Sequence, residues 1–166
     1  MSARNIAQGG LLICLAAVLQ LQPALFGEIF VIITTFSAMP IYILSRLNLR
    51  AGLIGYIIAA ILIFLFNAHE GLFFLFTNGV VGFSLGAFNH RLKSKVFISL
   101  FSGIILTLSL VLVNFVIGIP VLGVTLPGNL LVQICILLFF SLNYCFLYLF
   151  LASFVYDYLK QCYPFN

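Results

Sequence analysis

Long apolar runs separated by short polar segments follow one another along the whole chain. Each run is close to the roughly 20 residues that an α-helix needs to cross a bilayer. The expected fold is therefore an all-α integral membrane protein, a compact six-transmembrane-helix bundle that forms a single domain over 1–166. The six predicted spans are 6–21, 29–44, 51–66, 72–88, 96–117 and 130–156.

Two proline-containing segments modify this pattern. Met39-Pro40 lies inside the second predicted span, where proline removes a helix hydrogen bond and should kink the helix or end its regular part. The connection 118–129 is apolar but contains two prolines and three glycines, so it cannot be helical throughout. We expect this connection to lie at the membrane interface or to fold over the mouth of the bundle.

The composition excludes a water-soluble protein. The chain has 166 residues, of which 64% are hydrophobic and 6% are charged, whereas a soluble domain carries about 25% charged residues. The net charge of +4 comes from the predicted loops. No cluster of Lys and Arg alternates with aromatic side chains, as single-stranded nucleic acids would require, so no nucleic-acid partner is expected.

The basic residues predict the orientation of the chain. All of them fall on one side of a six-span arrangement: Arg4, Arg46, Arg50, Arg91, Lys93, Lys95 and Lys160. The connections on the other side carry Glu28 and Glu70 and no basic residue. Because cytoplasmic loops accumulate Lys and Arg, both termini are predicted to lie inside.

Polar residues gather at the predicted outer ends of several spans. Groups of this kind cost several kcal/mol in lipid unless they are paired, so they should face one another or a cavity. One interpretation is an outward-facing pocket for a small polar molecule. The other is a set of ordinary interfacial residues with a few interhelical hydrogen bonds. The candidate substrate-binding residues are Glu28, Asn67, His69, Glu70, Asn78, Asn114 and Gln133.

Small residues recur at helical spacing in three spans. Gly82 and Gly86 form a GxxxG pair, Gly55 and Ala59 form a similar pair, and the first span has a small-residue face. Such faces let helix backbones approach closely in lipid. They serve either to pack the bundle internally or to dock another membrane protein. The small residues considered for docking are Gly10, Cys14, Ala17, Gly55, Gly82 and Gly86.

Several chemistries find no support in the sequence. No predicted span contains an internal Asp, Lys or Arg, which argues against a proton relay or a charged ion path. His69-Glu70 is a poor metal site because adjacent residues do not share a helix face. The chain has neither a catalytic triad at membrane depth nor a P-loop. We therefore expect no enzyme, cofactor or metal, and transport would need energy from partner subunits.

Two segments carry a resemblance to a known family. They read PIYILSRLNLRAGLIG over 40–55 and GVVGFSLGAFNHRLKSK over 79–95. This pattern resembles the substrate-binding (S) components of energy-coupling factor vitamin transporters, and within them the uncharacterised YybS-type membrane proteins. The resemblance implies a subunit of the bacterial cytoplasmic membrane that binds a vitamin or similar micronutrient near the outer surface.

The same resemblance implies partners. An S component associates with a transmembrane coupling protein and two ATP-binding cassette subunits, whose ATP hydrolysis topples the bundle and releases the ligand inside. Docking would use the small-residue faces, with Gly10, Cys14 and Ala17 in place of the family's alanine-rich motif. Arg46, Arg50 and Arg91 would lie on the cytoplasmic face that meets the ATP-driven partner.

Two alternatives belong to other classes. A six-span scaffold such as the rod-shape protein MreD has similar length and topology, binds partner proteins and transports nothing. That family carries an acidic residue in its middle spans after a Gly-rich stretch, whereas here Gly52-Leu-Ile-Gly55 is followed by no Asp or Glu until Glu70. The third possibility is a subunit of a larger membrane complex whose ligand is a lipid.

Overall fold

The computed structural model describes residues 3–119 and 129–162, and these residues are helical with short connections and no β-strand. Two 3-10 turns, Glu28–Phe30 and Thr35–Ser37, flank α3, and a π-helical turn, Leu112–Ile117, continues α8. The α-helices are α1 (Ala3–Gln20), α2 (Gln22–Phe26), α3 (Val31–Thr34), α4 (Ala38–Leu47), α5 (Leu49–Phe66), α6 (Ala68–Phe76), α7 (Asn78–Asn89), α8 (Lys95–Val111) and α9 (Leu130–Cys162).

Five helical segments of the described chain are long and apolar enough to cross a membrane, as expected for an all-α membrane bundle. They are Glu28–Leu47, Leu49–Phe66, Ala68–Asn89, Lys95–Ile117 and Leu130–Gln161. Each overlaps one of the predicted spans. The first predicted span, 6–21, corresponds to the shorter apolar helix Ile6–Gln20. The predicted connection over the mouth of the bundle falls largely on 120–128, outside the described residues.

The helix ends follow from local capping chemistry. Asn48 separates α4 from α5, and its side-chain oxygen accepts hydrogen bonds from the backbone N–H groups of Arg50 and Ala51. Asn67 does the same at the start of α6, where it accepts a hydrogen bond from the backbone N–H of Glu70 at 3.1 Å. These bonds satisfy N–H groups that the first turn of a helix leaves without partners.

Pro40 affects the second long segment on its N-terminal side. It lies in the first turn of α4, where its missing N–H costs no helix hydrogen bond. The irregular part is the preceding run of 3-10 turn, α3 and 3-10 turn over 28–37. Pro40 therefore marks where the regular helix begins. The irregular part before it, 28–37, consists of short helical pieces, and some of their side chains belong to the site described below.

Helices α4 and α7 form the closely packed centre of the bundle. They run in the same direction, so Gly82 faces the backbone of Ala38 near their beginnings and Gly86 faces Ser45 near their ends. A Cβ on Gly86 would lie 2.5 Å from the Ser45 Cβ and 2.8 Å from the Tyr42 carbonyl oxygen. Both glycines are therefore required by the close approach of α4.

The apolar core has two parts that meet at α4. One part joins α4 and α7 to α8 and α9, and the other joins α4 to α1, α5 and α6. We call the end of the bundle where α4 and α7 begin the Gln20 end, since α1 finishes there at Gln20. The opposite end, where α4 finishes, is called the Arg46 end. Over the 12 residues of α7, the two ends are separated by about 18 Å of helix at 1.5 Å per residue.

Candidate functional site

The site at the Gln20 end is organised by the side chain of Gln20, which is 1% exposed. Its Oε1 accepts hydrogen bonds from Ser37 Oγ at 2.8 Å and from Asn78 Nδ2 at 2.9 Å. Its Nε2 donates to Glu70 Oε2 at 2.8 Å. A single amide thus connects the end of α1 to the turn before α4 and to the beginnings of α6 and α7.

Asn78 extends this network to two further segments. Its Nδ2 also donates to the backbone oxygen of Thr34 at 2.9 Å, and its Oδ1 lies 3.5 Å from the Tyr144 hydroxyl of α9, which donates to it. Buried polar groups are costly unless they are bonded, and here both amide side chains have partners. The network therefore fixes the relative positions of α1, α3, α6, α7 and α9 at this end.

A cavity of about 750 Å³ lies against this network. Sites for small organic molecules usually have volumes of about 300–1,000 Å³ and apolar walls with a few polar groups, and this cavity has both features. Its walls are formed by Gln20, Pro23, Val31, Ile32, Thr34, Thr35, His69, Glu70, Phe73, Thr77, Asn78, Val81, Leu106, Leu110, Ile119, Phe140 and Tyr144.

The irregular segments of the chain supply much of the polar wall. Thr34 and Thr35 lie where α3 gives way to a 3-10 turn, and Thr77 interrupts the long segment between α6 and α7. Helix α9 contributes Phe140 and Tyr144 to the wall, and their rings stack with centroids 5.9 Å apart. The cavity wall therefore combines polar groups with aromatic rings.

The structure brings together three of the predicted substrate-binding residues. His69, Glu70 and Asn78 line the cavity, and the His69 ring packs edge-on against Phe73 at 4.7 Å between centroids. Asn67 caps α6 and lines a separate cavity of about 510 Å³ beside α1. The described wall of the larger cavity, of about 750 Å³, does not include Glu28, Asn114 or Gln133.

Five polar residues of the cavity wall were absent from the predicted set: Gln20, Thr34, Thr35, Thr77 and Tyr144. Gln20 and Tyr144 carried a sequence signal, because amides and hydroxyls in apolar helices seek partners. The three threonines carried none, because threonine occurs at any depth of a membrane helix. Among the described residues, no three His, Cys, Asp or Glu side chains gather as a metal site requires.

The small residues considered for docking lie in different surroundings. Gly82 and Gly86 pack against α4, and Gly55 packs against Leu44 and Ile13, so internal packing accounts for all three. Ala17 is buried, whereas Gly10 and Cys14 are exposed on α1. A Cβ on Gly10 would have no neighbour within 4 Å. Exposure alone leaves Gly10 and Cys14 available to a partner or to lipid.

The three arginines considered for docking lie at or beyond the Arg46 end. Arg50 and Arg91 are exposed. Arg46 is engaged within the chain, because its Nη1 donates to the Tyr42 hydroxyl at 3.0 Å and its Nη2 lies 3.5 Å from Asp157 Oδ1. Its guanidinium also stacks over the Tyr156 ring. Arg46 therefore fastens the last turns of α9 to α4.

No protein-family model matches the chain, and no curated protein or solved structure does so either.

Proposed function

We propose that this chain is a membrane-embedded substrate-binding subunit for uptake of a vitamin or similar small micronutrient. The observation that supports the proposal is the cavity of about 750 Å³ whose wall holds the bonded set of Gln20, Asn78 and Glu70. A bundle that needed these groups only for packing would close the helices around them. Here they border a space large enough for a vitamin-sized molecule.

The distribution of charge supports an outward-facing cavity. Among the residues whose side chains the structure describes, no Lys or Arg lines the cavity. The basic residues at the opposite end lie in the terminal turns of helices or in the connection between α7 and α8: Arg46, Arg50, Arg91, Lys93, Lys95 and Lys160. If Ile6–Gln20 forms a sixth crossing, both termini lie in the cytoplasm and the Gln20 end faces outward. The absence of a P-loop from the sequence makes partner ATPases the source of energy.

The binding proposal is tested by native mass spectrometry of the purified protein, combined with thermal shifts against a panel of vitamins. We expect a retained small molecule, and a rise in the melting temperature with the matching vitamin. Repeated preparations that retain no small molecule and show no shift with any vitamin would overturn the proposal. Co-purification with cell-shape proteins would then favour a scaffold of the MreD type.

A matched pair of variants locates the binding site. Val31 lines the cavity and is 52% exposed, so Val31→Trp should narrow the space without disturbing the core. Ile29 is 89% exposed and does not line it, so Ile29→Trp is the control. We expect Val31→Trp to weaken ligand binding by at least about tenfold while Ile29→Trp leaves it unchanged. Equal binding by both variants would place the ligand elsewhere.

A further inference from the structure

Glu70 carries a negative charge into the cavity wall without a basic partner. Its Oε2 accepts the hydrogen bond from Gln20 Nε2 at 2.8 Å. Its Oε1 accepts no hydrogen bond within the described residues, and the one ion pair between side chains there joins Arg46 to Asp157 at the other end. The Gln20 bond therefore holds the carboxylate in place and leaves one oxygen for another group.

Lysine and arginine are absent from the chain segments that form the described cavity wall. No Lys or Arg occurs in 5–45, 51–90 or 96–159, and these ranges contain every described residue of the cavity wall. Val81 and Arg91 are the wall residue and the basic residue that lie nearest each other along the chain. Their separation corresponds to about 15 Å of helix. Besides Glu70, the titratable residues of the described wall are His69 and Tyr144.

The start of α6 offsets the charge only in part. Glu70 lies in the first turn of this helix, where the helix dipole contributes roughly half a positive charge. A half-buried carboxylate still loses part of its hydration at such a position. A bound cation would replace that hydration, whereas a bound anion would be repelled by the same carboxylate.

The remaining walls suit the rest of an organic cation. Phe73, Phe140 and Tyr144 present aromatic rings, which attract ammonium groups through their π faces. Leu106 and Leu110 complete an apolar surface. The cavity therefore combines one carboxylate, several aromatic rings and an apolar floor.

We propose that the ligand of this cavity is a small organic cation, whose ammonium-type group pairs with the free oxygen of Glu70 while its apolar body packs against Phe140, Tyr144 and Leu110. The inference rests on the proposed binding function and specifies its substrate class. It assigns Glu70 the role of selecting charge, in addition to its structural bond with Gln20.

Probes that share one body and differ in charge test this inference. Phenethylammonium, phenethyl alcohol and phenylacetate have the same phenyl group and are cationic, neutral and anionic near neutral pH, and benzyltrimethylammonium adds a permanent cation. Binding to the full chain in lipid nanodiscs is measured by calorimetry. We expect both cations to bind at least about tenfold more tightly than the alcohol, and phenylacetate to bind more weakly than the alcohol.

The variant Glu70→Gln removes the charge while keeping an oxygen that accepts the Gln20 bond. Within this variant, the two cations should bind no more tightly than the alcohol does. Glu28→Gln is the matched control, because Glu28 is exposed and lies outside the cavity wall. A loss of cation preference in Glu28→Gln, or its persistence in Glu70→Gln, would overturn the role assigned to Glu70.

The outcomes separate this inference from the proposed function. Equal binding of all probes, or tighter binding of phenylacetate, overturns the cation and leaves a binding cavity in place. If no probe binds, the charge of the molecule retained in native mass spectrometry decides, since a cation supports the inference and a neutral or anionic molecule overturns it. If no probe binds and no molecule is retained, both the proposed function and this inference fail.

Discussion

The side-chain amide of Asn78 donates a hydrogen bond to Gln20 Oε1 at 2.9 Å, although 58 residues separate the two in sequence. Gln20 ends α1 and Asn78 begins α7, so the bond joins two helices at the wall of the cavity. Both side chains are almost completely buried. The same pair therefore determines the local structure and shapes the space that a ligand would occupy.

Replacing Gln20 with leucine should destabilise the bundle more than the same replacement of Gln22 does. Leucine keeps the volume but leaves Ser37, Asn78 and Glu70 each without one hydrogen bond. We expect a loss of about 1–3 kcal/mol in the free energy of unfolding, measured by denaturant titration in detergent. Gln22→Leu is the control, because within the described part of the chain the Gln22 side chain bonds only to the backbone oxygen of Val18, in an exposed position. Equal losses in both variants would contradict a special role for the Gln20 network.

Replacing Gly86 with alanine should force α4 and α7 apart. The added Cβ would meet the Ser45 Cβ at 2.5 Å and the Tyr42 carbonyl oxygen at 2.8 Å, and the backbone cannot move as a flexible side chain can. Overpacking of this kind costs about 1–3 kcal/mol or more. Thermal unfolding in detergent measures the effect.

The matched control for this glycine is Gly10→Ala on α1. A Cβ at Gly10 has no neighbour within 4 Å, and alanine favours a helix over glycine by up to about 1 kcal/mol. This variant should keep or raise the melting temperature. A stable Gly86→Ala variant with impaired binding of a membrane partner would instead support a docking role for the glycine pair.

The sequence predicts the helices better than it predicts their partners. The predicted span 51–66 agrees with α5, Leu49–Phe66, to within two residues at its start and ends at the same residue. The agreement is close because asparagine caps stand at both ends of this long apolar run. The GxxxG pair indicates a close approach, but only the folded bundle shows that α4 makes it. Gln20 was not among the predicted site residues for the same reason, since its bonding partners lie 17, 50 and 58 residues away.

The cluster at the Arg46 end should depend on aromatic stacking more than on its ion pair. The Arg46 guanidinium carbon lies 3.8 Å from the centroid of the Tyr156 ring. The carboxylate of Asp157 is 62% exposed, and surface ion pairs of this kind contribute about 0–1 kcal/mol. We expect Asp157→Asn to change the unfolding free energy by less than about 0.5 kcal/mol, and Arg46→Met to lower it by about 1–2 kcal/mol.

The exposed Arg50 provides the control for this cluster. Arg50→Met removes the same charge and should change stability by less than about 0.5 kcal/mol, as surface substitutions usually do. Thermal unfolding of the three variants in one detergent compares them directly. An effect of Asp157→Asn as large as that of Arg46→Met would show that the ion pair dominates.

The proposed orientation predicts which cysteine substitutions a membrane-impermeant maleimide labels in intact cells. Glu28 and Arg50 are both exposed. Glu28 begins the helical segment that contains α4, and Arg50 lies just after that segment, in the first turn of α5. On a background with the four native cysteines replaced by alanine, Glu28→Cys should be labelled from outside. Arg50→Cys should be labelled only after permeabilisation, because the proposed orientation, which follows from the positive-inside rule, has the Arg46 end in the cytoplasm. Labelling of Arg50→Cys alone in intact cells would reverse the orientation and direct the cavity toward the cytoplasm.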